Sequence, residues 1–307
     1  MREKWTTQMG FVLASIGSAV GLANIWRFPY IVGENGGAAF VFAYLICLLS
    51  ISFPVFVSEV TIGRITKKNP YGAFAQLGKT KFWKGAGAFS IFTAFVISAF
   101  YSAVAGWVLG YMLEALQGNL SKFTSIEESQ QLFSHLMSLP WWGVTMHGIF
   151  MFLSCIFVFR GVKGGIEKGA KWLMPLFFII LVFLLVKGLF LPQAKEALVF
   201  LFHPDFSSLT ALSWLTALGH AFFTLSLGQG TMITYGSYLN KRDCIPSSCV
   251  TIALADTFVS LAAAVIIFTA AFSTGHQPDA GPGLLFQTMP MIFSSMSGGS
   301  LLALLFF

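Results

Sequence analysis

Gly17, Ser18, Gly21 and Asn24 interrupt the apolar run that starts at Phe11, and Thr224, Ser226, Gly228, Gln229 and Gly230 interrupt another between 211 and 238. Glycine is poor helix material, roughly 1 kcal/mol worse than alanine per residue. Irregular backbone inside an apolar span survives only where it lines a cavity or is buried in protein. The carbonyls and amides freed by such breaks can coordinate a cation and an anionic substrate, so each break predicts a transport site. Corresponding breaks in two halves point to an inverted-repeat transporter with its site at the bilayer midplane. A blander reading stays open, because glycines such as Gly17 and Gly21 also let membrane helices pack closely.

The elements that carry these breaks are long and apolar. Hydrophobic residues make up 56% of the 307-residue chain and charged residues 10%, with 34 Phe and 8 Trp; mean hydropathy is +0.78. Soluble domains carry roughly 25% charged residues. A helix needs about 20 apolar residues to cross a bilayer, and runs near 11–31, 38–62, 87–116, 143–159, 168–190, 211–238 and 245–273 meet or approach that length, with a last run starting at Leu301. The first run holds Ser18, Asn24 and Arg27 with no small-residue cleavage site after it, unlike a signal peptide.

The formal charge of +6 resolves into topology. Arg2 and Lys4, then Arg64 to Lys84, then Arg160 to Lys171, then Lys241 and Arg242 fall on alternate loops, while Glu127, Glu128, Glu196, Asp205 and Asp279 lie on the others. The positive-inside rule makes the basic loops cytoplasmic, with the N-terminus inside a multi-pass cell (inner) membrane protein. No nucleic-acid partner is implied. Cys47, Cys155, Cys244 and Cys249 form no metal or redox spacing, and the five histidines are scattered. The stretch Gly72 to Thr80 imitates a phosphate-binding loop but has five residues between its glycines instead of four. No nucleophile is paired with a base, so an enzyme is not expected, and no cofactor beyond a coupling ion.

One carboxylate stands out. Asp256 lies alone in the apolar run 245–273, where insertion costs about 2.5 to 3.5 kcal/mol at mid-helix. Such residues mark ion paths, or else structural carboxylates paired within the bundle. Arg27 and Glu59 are the other charges inside or at the rim of spans, and Gly165 and Pro175 bracket the start of the fifth.

Taken together, these residues resemble the neurotransmitter:sodium symporter family, which includes a bacterial leucine transporter. The match runs through Arg2 to Trp5, Gly17-Ser-Ala-Val-Gly-Leu-Ala-Asn24, Trp26-Arg-Phe-Pro29, Glu34-Asn-Gly-Gly37, Arg160-Gly161, Phe222-Phe-Thr-Leu-Ser-Leu-Gly228 and Ile233 to Tyr238. The resemblance implies an all-α membrane protein, a leucine-transporter-like inverted-repeat bundle with broken first and sixth helices, truncated in the eighth. Residues 1–190 would be the first five-helix repeat and 191–307 the start of the second. The implied activity is sodium-coupled symport of a neutral, apolar or aromatic amino acid by alternating access. The alternative is a non-transporting remnant, or a subunit needing a complementary C-terminal chain as partner.

By the same resemblance, one sodium ion would be held by the Ala19 carbonyl, Asn24, Thr224 and Asp256, and a second by the carbonyls of Gly17 and Val20. The substrate carboxylate would meet the amides of Leu22 and Ala23 at a half-helix N-terminus, where the dipole favours an anion, and the Tyr101 hydroxyl. The amino group would find carbonyls of Ala19, Phe223 and Thr224, while Ile97, Phe223, Ser226 and Gln229 shape the side-chain pocket. Trp5, Arg27 and Tyr238 would form gates, with the acidic partner of Arg27 on a tenth helix. Glu59 would tie down the backbone of the broken sixth helix, and the inner end of the fifth would unwind between Gly165 and Pro175. Ser18 and Ala23 stand where the leucine transporter has Asn and Gly, Gln229 replaces a Phe, and Asp256 an Asn. The last change suggests a fixed negative charge in place of the chloride that animal relatives use.

Overall fold

The computed structural model describes residues 3–273, 284–295 and 298–307. Arg2 of the N-terminal motif and Asp279 of an outer loop lie outside them. The described residues form fifteen α-helices and short helical turns, with no strand among them.

The first span is broken. Thr7 caps α1 (Gln8–Ala19), its side chain accepting from Gly10 N–H, and the helix stops where Val20 turns extended. Asn24 holds the break open locally, its Oδ1 accepting from Gly21 N–H at 3.0 Å. The chain resumes as a π-turn, Ala23–Arg27, leading into α2 (Phe28–Glu34), and the two halves meet at a 48° bend. The second span repeats the device, with α3 (Ala38–Cys47), a π-turn over Leu48–Ser52 and α4 (Phe53–Thr66). Both π-turns precede a Phe-Pro pair, Phe28-Pro29 and Phe53-Pro54. Proline lacks an N–H, and the widened turn absorbs the bond that it cannot make.

Then follow α5 (Pro70–Gly78), α6 (Lys81–Leu116), α7 (Ile126–Ser138), α8 (Pro140–Phe159), a π-turn over Val162–Glu167 and α9 (Lys168–Leu189). The second half holds α10 (Ala194–Phe202), α11 (Ala211–Thr224), α12 (Thr231–Gly236), α13 (Ile245–Ser273), a π-turn over Leu284–Thr288, α14 (Met289–Ser295) and α15 (Gly299–Phe306). Among the described residues, five helical stretches are long and apolar enough to cross a membrane, six when the bent first pair counts as one. The run 211–238 is not among them, because its break leaves pieces of 14 and 6 residues. The fifth span begins at Val162, earlier than the expected 168, since the Gly164-Gly165 pair is wound into the π-turn. Pro175 sits inside α9, which is wound from end to end.

The core gathers on α13. Every residue from Ala262 to Ala271 is buried, the mark of a helix enclosed on all sides, and it packs against α1, α2, α4, α9 and α10. In contrast, α8 buries no residue. The sixth span is pressed onto the second with backbone touching backbone: a Cβ on Gly63 would stand 2.1 Å from Ile233 O, and one on Gly236 2.4 Å from Val60 O. Only glycine at both places lets α12 lie against α4 this closely.

Candidate functional site

Helix α11 ends at Thr224 because the following residues leave right-handed backbone. Ser226, Gly228 and Gly230 all have positive φ, at 55°, 79° and 75°. Serine in the left-handed region costs about 1 kcal/mol or more, and Ser226 gains a partner there: its Oγ donates to Ser18 O at 3.1 Å, tying the two breaks together. Glu59 on α4 holds the same loop, its Oε1 accepting from Gly228 N–H at 2.8 Å. Ser226→Ala keeps the strain and loses the bond, whereas Ser226→Gly relieves the strain, so the Ala variant is expected to melt below the Gly variant in a thermal unfolding comparison.

Four side chains meet between the breaks, all fully buried: Asn24, Thr224, Asp256 and Ser260. The Thr224 hydroxyl donates to the Asp256 carboxylate, 2.8 Å from Oδ1 and 3.0 Å from Oδ2. Asn24 Nδ2 lies 2.7 Å from Asp256 Oδ1 and 2.8 Å from Ser260 Oγ, with Thr224 Oγ1 and Asp256 O at 3.1 and 3.3 Å. Its two hydrogens serve the nearest of these acceptors. Among the described residues Asp256 has no ion-pair partner, so polar neutral groups alone offset a buried carboxylate. Such a charge is costly to bury without a cation. The cluster thus offers carboxylate, hydroxyl and carbonyl oxygens suited to a hard cation, while the Asn24 amide oxygen is turned away onto Gly21 N–H.

At the two breaks a cavity of about 500 Å³ is lined by Gly17, Ser18, Ala19, Ala23, Ile97, Tyr101, Phe223, Ser226 and Gln229, among others, of which Ala23 and Phe223 adjoin Asn24 and Thr224 of the cluster in the chain. A second cavity of about 370 Å³ is lined by Leu22, Trp26, Arg27, Tyr30 and Phe100 and shares Ala23, Tyr101 and Phe223 with the first. Tyr101 and Phe223 therefore stand between the two. The Tyr101 hydroxyl accepts from Leu22 N–H at 2.7 Å, which draws α6 onto the first break. Arg27 lies over the Phe223 ring at 5.3 Å from its centroid, a cation–π contact at the rim.

Most of the residues expected from the sequence are thus brought together, with three differences. Gly17 faces the first cavity while Val20 lines another, beside Leu173, Met174 and Phe177. The proposed gate residues divide between two places: Arg27 borders the second cavity, whereas Trp5 is buried with Tyr235 and Tyr238. There Trp5 donates its indole N–H to Tyr235 O at 3.0 Å and its backbone N–H to Tyr238 O at 3.2 Å. Finally, Asn24 turns its amide nitrogen, not its oxygen, toward the cluster.

Two residues escaped the sequence reading. Ser260 lies four residues after Asp256 on α13, and that spacing puts both on one helix face. His220, one turn before Thr224, is fully buried between the rings of Phe28 and Tyr44, at 5.3 and 5.5 Å. Nothing in a lone histidine within an apolar run marks that placement.

The family model described as the sodium:neurotransmitter symporter family matches residues 2–131 and 125–307. An uncharacterized sodium-dependent transporter of Haemophilus influenzae is 35% identical over the whole chain and 69% of its own length, and a Bacillus subtilis counterpart is 38% identical over 97% of this chain and 66% of its own. The chain thus spans about two thirds of the length of these curated relatives. A sodium-dependent neutral amino acid transporter, B(0)AT3 of Rattus norvegicus, is 32% identical over 87% of this chain and 48% of its own. The crystal structure of MhsT in complex with L-phenylalanine superposes with a TM-score of 0.92 at 42% identity, covering all of this chain and 69% of that one. An all-helical bundle broken in its first and sixth spans, with a family match along its whole length, makes this chain a member of the sodium:neurotransmitter symporter family of membrane transporters.

Proposed function

We propose that the full-length protein is a sodium-coupled amino-acid symporter that works by alternating access. The observation that carries this reading is the Asp256 carboxylate, fully buried with Asn24, Thr224 and Ser260 beside a cavity built from both breaks. A sodium ion bound there is a transported species. It replaces the neutral donors around Asp256 with a full positive charge and recovers the cost of burying the carboxylate. Asn24 must then present Oδ1, which half a turn of its amide supplies while releasing the Gly21 N–H that Oδ1 now holds. Sodium binding in this way loosens the first break at the residues that face the substrate. We assign the same site the Ala19 carbonyl, and the second sodium the carbonyls of Gly17 and Val20.

The substrate is a neutral amino acid with an apolar or aromatic side chain. Its carboxylate takes the Leu22 and Ala23 amides, with Tyr101 Oη turning its proton outward, and its ammonium takes the carbonyls of Ala19, Phe223 and Thr224. Ile97 and Phe223 supply the apolar walls, Ser226 the floor of the second break, and Gln229 a single amide in the lining. The phenylalanine complex of MhsT and the neutral amino acid transport named for B(0)AT3 support this class. The basic loops support an N-terminus on the cytoplasmic side of the cell membrane, with residues 1–190 as the first five-helix repeat and 191–307 as the start of the second. Trp5 and Tyr238 then close the inner side, and Arg27 borders the outer one.

The test is uptake of radiolabelled L-phenylalanine into proteoliposomes holding the full-length protein. Uptake driven by an inward sodium gradient and absent with potassium supports the reading; uptake indifferent to sodium overturns it. Gln229 is half-buried in the lining; Gln229→Leu removes its polar group, and the expected result is tighter competition by leucine and phenylalanine, by about threefold for an amide that keeps part of its hydration.

A further inference from the structure

Where α5 turns into α6, three lysines and two aromatic rings share one short corner. Lys79, Lys81 and Lys84 are exposed, and among the described residues none of them has an ion-pair partner. No Asp or Glu occurs between Glu59 and Glu114 to supply one from the neighbouring chain. Lys79 caps α5 in left-handed backbone, with φ at 55°, where glycine is the usual residue and another costs about 1 kcal/mol or more. The corner is packed from behind. The Trp83 ring fills the space beside Gly78 and lies parallel to Phe74, with centroids 5.9 Å apart, while Phe82 meets Trp83 edge-on at 5.6 Å. A Cβ on Gly87 would stand 2.8 Å from Tyr71 Cα, so α5 lies backbone to backbone on α6.

We propose that this corner binds an anionic phospholipid of the leaflet that the basic loops face. The phosphate sits among Lys79, Lys81 and Lys84, and Trp83 stands at headgroup level. Helix α6 has 36 residues, about 54 Å at 1.5 Å each, against roughly 30 Å of hydrocarbon, so its first turn reaches the headgroups. Its exposed face continues as Phe82, Phe89, Phe92 and Val96, an apolar stripe at helical spacing along which an acyl chain can lie. Lysines alone would suit water. Joined to Phe82, which is 75% exposed, and to a half-exposed Trp83, they suit an interface, where rings rest among headgroups and ammonium groups reach phosphate. A zwitterionic headgroup brings its own cation, which the lysines repel, so net negative charge is what the corner selects. A free phosphate would leave the rings and the stripe uncovered. None of this depends on transport.

Quenching of tryptophan fluorescence by brominated lipids, in liposomes holding the full-length protein, tests the site. The Trp83 signal is the difference between wild type and Trp83→Phe. Brominated phosphatidylglycerol is expected to quench it at about fivefold lower mole fraction than brominated phosphatidylcholine, the effect of one lysine meeting one headgroup. Replacing Lys79, Lys81 and Lys84 together by Gln brings the two lipids within about twofold of each other. Lys79→Gly, which relieves the left-handed backbone and so preserves the fold, gives a preference between those values. Lys241→Gln with Arg242→Gln, on another basic loop, leaves the fivefold preference intact. Equal quenching of wild type by the two lipids overturns the site, as does a preference lost with the Lys241 and Arg242 changes, which would mean surface charge in general. A Trp83 signal that neither lipid quenches shows that another part of the full-length protein covers the corner, and overturns it as well. Displacement of the brominated lipid by excess soluble glycerol phosphate would reassign the corner to free phosphate and overturn the lipid.

Discussion

Replacing Asp256 by alanine is expected to abolish sodium-driven uptake by the full-length protein while leaving it folded. The carboxylate is the one charged group among four buried side chains at the breaks, and both Asn24 Nδ2 and Thr224 Oγ1 donate to it. Loss of a charged partner from a buried hydrogen-bonded set costs about 1.5 to 3 kcal/mol, or roughly 10- to 100-fold in affinity. Loss of the sole counter-charge to a bound cation adds to that. The fold has reason to survive, because alanine removes a buried charge that is itself expensive to keep. Uptake by the variant, with its melting temperature as control, checks the claim. If Asp256 also supplies a fixed negative charge, exchanging chloride for gluconate leaves wild-type uptake unchanged.

The second large effect concerns architecture. Gly63→Val is expected to destabilise the protein by about 3 kcal/mol, the upper end for overpacking, because its Cβ would meet Ile233 O at 2.1 Å and Ser237 N at 2.9 Å. Both are backbone atoms, so no flexible side chain can move aside. Relief requires α12 to back away from α4, and with it the loop whose Gly228 N–H is held by Glu59. Thermal unfolding of the purified protein reads the loss directly, and a melting curve that matches wild type contradicts this account of how the second and sixth spans meet.

Both breaks were legible in the sequence because each joins glycines, which alone could serve close packing, to asparagine, threonine or serine in the middle of an apolar run. Asp256 was legible as a lone carboxylate in another such run. What could not be read is instructive in physical terms. The π-turns at Ala23–Arg27 and Leu48–Ser52 have the composition of ordinary helix, and only the Phe-Pro pair after each marks them. Helices α7, α10 and α14 lie between the spans, where short or polar stretches read as loops. The fifth span was expected from 168, yet a π-turn winds Gly164 and Gly165 into its start. Ser260 was hidden by its small size among apolar neighbours, although its spacing from Asp256 was there to use. The orientation of the Asn24 amide is a matter of one dihedral angle, settled by Gly21 N–H on one side and Asp256 on the other.

That amide and the Thr224 hydroxyl offer the most direct access to the central claim, that this cluster is where sodium binds. The measurement is equilibrium binding of ²²Na⁺ to the purified full-length protein, wild type against Thr224→Val, a change that removes one oxygen and keeps the shape. The account predicts a fall in sodium affinity of about tenfold or more, together with a lower melting temperature in sodium-free buffer, because the buried Asp256 carboxylate loses the Thr224 donor. A Thr224→Val protein that binds sodium as wild type does would contradict it, and would move the ion away from the junction of the two broken helices.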